Sequence, residues 1–202
     1  MRTAKLCWSL GSILVNITIG IYIYLQNNGP SDLRERFQYV NDNWSIYGGH
    51  WKAEFLIMIL VCIGAFYFAV HLKKIGWVIV SVGQFIILWT YPLMLAGYRN
   101  TPFEIANMAN QMATITFIFG NLIFFSGLLY LYFKNDIFKV WLRYLSIALS
   151  GIATLMFLSI ATGLITWSQA LVIAPIINVL YLINAYYGFK IDGESQVSTL
   201  TN

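Results

Sequence analysis

"EFLIMILVCIGAFYFAV", residues 54–70, decides what kind of protein this is. From Phe55 to Val70 there is no charged side chain, and the run belongs to a longer apolar stretch, Trp51–Leu72. Runs of this kind, near 20 residues, match the length a helix needs to cross about 30 Å of hydrocarbon. The composition agrees. The chain has 202 residues, of which 59% are hydrophobic, 17% aromatic and only 10% charged. A soluble domain carries roughly 25% charged residues, so this chain lacks the polar groups to cover a water-exposed surface. Mean hydropathy is +0.69.

The same pattern recurs and predicts six spans, at Leu6–Leu25, Trp51–Leu72, Gly76–Gly97, Gln111–Phe133, Val140–Leu164 and Ser168–Tyr187. Backbone groups in lipid must bond within their own segment or in a closed barrel. Barrel strands would be about 10 residues long with alternating polarity, and these runs are continuous. The fold class is therefore all-α, a polytopic transmembrane bundle forming one integral membrane domain over residues 1–202. The first run lacks an A-x-A-like site and exceeds a signal h-region, so it is expected to stay in the membrane.

Basic residues set the expected orientation. One side holds Arg2, Lys5, Lys73, Lys74, Lys134, Lys139, Arg143 and Lys190; the other holds Arg34, Arg36, Lys52 and Arg99. Both termini are expected in the cytoplasm of a multi-pass protein of the cell membrane. Counting acids, the inner side carries a net +5 and the outer side −1. The basic balance thus points to anionic lipid at the inner face, with the bilayer as partner and no nucleic acid. Cys7 and Cys62 sit at different depths, which argues against a disulfide.

The one long connection is the first outer loop. Within "SDLRERFQYVNDNW" (31–44), Ser31 is a candidate N-cap, and Leu33, Phe37, Val40 and Trp44 recur at helical spacing. This predicts a short amphipathic helix on the outer surface, broken by Gly48-Gly49 before the second span. "TPFE" (101–104) reads as a capping box, with Thr101 as cap and Glu104 reaching back. The polar end, 189–202, is expected to be a disordered cytoplasmic tail.

Three features are candidates for function. In "NDNWSIYGGHWKAEFL" (41–56), His50 and Glu54 are four apart and share a helix face. They are two of the three or four ligands zinc needs. The simpler expectation is an anchor, with Trp44, Tyr47 and Trp51 as an aromatic belt and Glu54 near a helix N-terminus. Asn16, Gln84, Asn121 and Asn178 fall near mid-depth on four helices, with Thr154 level on a fifth. They would line a polar pocket or, more simply, bond neighbouring helices. Pro92 and Pro175 interrupt two spans, as at a transporter site or an ordinary kink.

What is missing restricts the classes. No charged residue is expected in a span core, which leaves a proton relay or voltage sensor unsupported. There is no HExxH, GxSxG or Walker loop. No cofactor, metal or catalytic residue is implied, and an enzyme is disfavoured.

Two stretches carry a resemblance. "LRERFQYV" leading into "EFLIMILVCIGAFYFAV", and "IFGNLIFFSGLLYLYFKNDIFKVWLRYLSIALSGIATL" (118–155), resemble a family of uncharacterised bacterial membrane proteins of six or seven helices. It spans about Cys7 to Leu155, implies a bacterial inner-membrane protein, and transfers no functional residue. The expected function is accessory, sensory or scaffolding, through helix and lipid contacts with other membrane proteins or itself. A small carrier for a neutral polar solute, using the mid-depth amides, is the alternative. A membrane enzyme with an outer-mouth site is third.

Overall fold

A computed structural model describes residues 1–134, 137–170 and 174–191. The elements are α1 (Arg2–Asn27), α2 (Leu33–Asp42), α3 (Trp44–Leu72), α4 (Ile75–Leu88), α5 (Thr90–Tyr98), α6 (Phe103–Phe133), α7 (Val140–Ala161), α8 (Trp167–Ala170) and α9 (Ala174–Lys190). The protein is all-α. Five stretches are long and apolar enough to cross a membrane: α1, α3, α4 with α5, α6 and α7. The expected sixth span, Ser168–Tyr187, falls on α8 and α9, and α9 packs along α1. Lys190 still belongs to α9 and Ile191 is buried, while residues 192–202 of the expected tail lie outside the described residues.

The most extensive contact is between α4 and α6, and glycine makes it possible. A Cβ on Gly83 would lie 2.7 Å from the Phe124 Cα and 2.8 Å from the Gly120 carbonyl oxygen. The two backbones therefore touch, as small residues permit between membrane helices. At the end where the chain starts, α1, α3, α4 and α9 meet in an aromatic cluster. Trp77 sits 4.9 Å from Trp8, 4.6 Å from Phe68 and 5.9 Å from Tyr187, ring centre to ring centre.

Several local expectations are corrected. Gly48-Gly49 does not break a helix; α3 starts at Trp44 and runs through both. Gly48 is small because the Trp44 indole folds back onto it, 2.6 Å from where a Cβ would sit. The break is at Asn43, whose Nδ2 donates to the Tyr39 carbonyl at 2.9 Å. The cap of α2 is Asp32, not Ser31, and it accepts from the Glu35 amide at 3.0 Å. The capping box does not form. Thr101 donates to the Gly97 carbonyl, Pro102 is the cap residue of α6, and Glu104 pairs with Arg34 at 3.5 Å. Pro92 does interrupt its span. Its ring opposes the carbonyl of Leu88, four residues back, and the helix parts at Trp89. Pro175 instead sits in the first turn of α9, where proline is tolerated.

Candidate functional site

Because α3 begins at Trp44, Glu54 lies ten residues inside it instead of in its first turn. His50 and Glu54 face into the bundle. Their side chains are 5% and 13% exposed, with His50 Nε2 3.5 Å from Glu54 Oε2. Among the described residues, Glu54 is the one acid that is not on the exposed surface. Tyr47 and Trp51, expected as a lipid-facing belt, are also buried.

Four further helices complete the surroundings. From α1, Thr18 and Tyr22, four apart, present one face; the Thr18 hydroxyl donates to the Val15 carbonyl at 3.0 Å and lies near the Glu54 carboxyl, as does the Tyr91 hydroxyl from α5. Tyr22 and Tyr181, the latter on α9, lie within electrostatic reach of the same carboxyl. Tyr22 lies near the Trp167 side chain on α8. Above this layer, Trp51 packs 5.0 Å from Tyr98, whose hydroxyl donates to Asn110 Oδ1 at 2.8 Å.

The surface helix α2 roofs the group, touching α3, α5 and α6. Phe37 is buried against Tyr98 and Phe103 at 4.6 and 5.5 Å, and Val40 is buried beside it. Leu33, expected on the same face, is exposed. Arg36 donates to the Pro30 carbonyl at 2.7 Å and to Gln26 Oε1 at 3.0 Å, tying α2 to the end of α1. The Asn100 amide donates to Asn41 Oδ1 at 3.1 Å.

Chemically this is a carboxyl beside an imidazole, lined by hydroxyls and enclosed by aromatic faces. Such a group can hold or exchange a proton, or meet a small cation, because isolated charge in a low-dielectric interior is expensive. No cluster of three or more His, Cys, Asp and Glu occurs among the described residues, and this pair supplies two ligands.

Among the described residues, none of the five mid-depth side chains hydrogen-bonds to another. Gln84 is fully buried, its Nε2 3.1 Å from the Met58 sulfur and 3.4 Å from the Met58 carbonyl. Asn121 donates to the Phe117 carbonyl and Thr154 to the Ser150 carbonyl, each four residues back on its own helix. Asn16 and Asn178 each keep a buried amide atom without a hydrogen-bond partner. Among the described residues, one cavity of about 600 Å³ runs along α3 and α4, and another of about 210 Å³ lies between α4 and α6. None of the five residues lines either.

Thr18, Tyr22, Tyr91, Tyr181 and Trp167 were not singled out from sequence. The signal available was the four-residue spacing of Thr18 and Tyr22. Nothing local connects α1, α5 and α9 to Glu54. Asn184 was missed too: it is fully buried, accepts from the Tyr132 hydroxyl, and its carbonyl accepts from Trp8 Nε1 at 2.8 Å.

No protein-family model, curated protein or solved structure matches the chain. The bacterial resemblance therefore remains one of layout. What stands is a helical, multi-pass integral membrane protein in contact with lipid.

Proposed function

We propose that this chain is a six-span sensory or accessory protein of the bacterial inner membrane, with the His50–Glu54 pair as its responsive element. In this reading α8 and α9 form the sixth span, both termini are cytoplasmic, and α2 lies on the outer face. The observation that carries it is the burial of Glu54 beside His50 under α2. An ionisable group inside a membrane bundle is costly and by default marks a working site.

A proton or small cation arriving from outside would change the charge beneath the roof. Arg36 lies within electrostatic reach of Tyr22 and Tyr98, so α2 feels the same layer. The signal would pass to lipid or to a neighbouring protein through α2. Carriage of a neutral solute is less favoured, since Asn121 and Thr154 spend their hydrogen bonds on their own helices.

The test is hydrogen exchange of the α2 amides in nanodiscs, followed across roughly pH 5 to 8, where an imidazole changes charge. After correction for intrinsic rates, the wild-type α2 should show a pH-dependent step. Glu54→Gln should flatten it. Identical α2 profiles in the two proteins would remove the basis for a responsive pair.

A further inference from the structure

At the opposite end from α2, the cavity of about 210 Å³ opens between the start of α4 and the end of α6. Lys74, Ile75, Tyr130, Leu131, Lys134 and Tyr187 line it. Among the described residues, this lining carries two ammonium groups and no carboxylate. Tyr187, only 3% exposed, is the floor, held by its stack on Trp77.

Backbone geometry adds to the charge. Lys74 is the extended cap residue of the 14-residue helix α4, and no side chain caps that end. The positive end of the helix dipole therefore faces the same region as the lysines, with the Trp77 amide already bonded to the Lys74 carbonyl at 3.0 Å. Gly76 holds the walls in place, since a Cβ there would lie 2.7 Å from the Leu131 side chain. Arg143 donates to the Phe133 carbonyl, which brings a third cation beside Lys134. The rim is apolar and exposed: Ile75, Val78 and Val82 on α4, and Phe133 on α6.

We propose that this cavity binds the phosphate group of an anionic phospholipid, whose acyl chains lie along the exposed α4 residues. A basic recess between helices at a membrane surface suits such a headgroup. The apolar rim selects lipid over free phosphate, which would leave that surface unused. The site is separate from the His50–Glu54 pair and needs only the membrane-bundle assignment.

Native mass spectrometry tests it, with the full chain released from nanodiscs of equal parts phosphatidylglycerol and phosphatidylcholine. The wild type should retain phosphatidylglycerol preferentially. Lys74→Gln and Lys134→Gln should each reduce that preference about fivefold, the effect expected of one basic residue at an anionic surface. Lys139→Gln, an equal charge change outside the lining, should reduce it less. Equal retention of the two lipids, or an equal effect of Lys139→Gln, would overturn the site. A second arm adds inorganic phosphate at millimolar concentration. Persistence of the lipid supports the assignment; displacement from the wild type would overturn a lipid occupant in favour of a free anion.

Discussion

Replacing Gly83 by alanine tests the α4–α6 contact, the most extensive in the bundle. The new methyl carbon would lie 2.7 Å from the Phe124 Cα and 2.8 Å from the Gly120 oxygen, both backbone atoms. Ordinary carbon contacts need about 3.5–4.0 Å, so the helices must part by about 1 Å locally. A gap of that size forfeits roughly a quarter to a half of each dispersion contact across it. Overpacking typically costs about 1–3 kcal/mol, and backbone neighbours that cannot rotate away put this site near the upper figure. Alanine returns about 0.5–1 kcal/mol through its better helix propensity. The net expectation is about 2 kcal/mol of destabilisation. Gly151 on α7 is the internal control, because nothing lies within 4 Å of its added Cβ. There alanine should stabilise by about 0.5–1 kcal/mol. Reversible unfolding in mixed detergent–SDS micelles measures both. A Gly83→Ala protein as stable as Gly151→Ala would refute the close-packed interface.

Tags at either terminus should be protected from protease added to intact cells, while a tag inserted at Asn28 should be cut; an accessible C-terminus would remove the sixth span. Asn16 and Asn178 lie seven residues from Ser9 and Ala185, which bond across α1 and α9 at 2.8 Å. Seven residues is two helical turns, so the amides are level and on facing sides. The unsatisfied atoms are complementary, Nδ2 of Asn16 and Oδ1 of Asn178. Asn178→Leu should cost about 1–2 kcal/mol, and adding Asn16→Leu should recover part of it. Additive losses in that double-mutant cycle would show that the two amides do not pair.

Helices were legible in this sequence to the extent that hydrophobic runs decide them. The ends at Leu72, Phe133 and Val140 fall where the apolar pattern places them. The failures share one cause: a side chain had more than one possible partner, and the sequence does not say which one wins. Glu104 was expected to cap its own helix and instead meets Arg34 from α2. Thr101 turned back to Gly97. Gly48-Gly49 looked like a break because the sequence does not reveal the indole of Trp44 lying over the first glycine. The His50–Glu54 spacing was visible, but not its burial. That burial depends on faces of α1, α5 and α9 far away in sequence.

The energetics of α2 bear on whether it can respond to the pair beneath it. Arg34 and Glu104 are 71% and 76% exposed, and such surface pairs contribute little, which leaves Arg36, bonded to Pro30 and Gln26, as its main polar tie. Two buried apolar side chains, Phe37 and Val40, do most of the holding. At about 1.5–3 kcal/mol each, they give a roof worth about 3–6 kcal/mol. A ligand shifts such an equilibrium only by its differential affinity for the two states, and a gap of a few kcal/mol is within reach. Glu54 itself needs a reason beyond stability, since a buried ionisable pair is often matched or bettered by an apolar replacement of similar size. A carboxyl retained beside an imidazole, under a helix held by a few kcal/mol, is what a charge-responsive roof requires. Phe37→Ala should then loosen α2 without unfolding the spans, raising its amide exchange at every pH and leaving that of α6 unchanged. Parallel loosening of α2 and α6 would mean that the roof belongs to the core and cannot respond on its own.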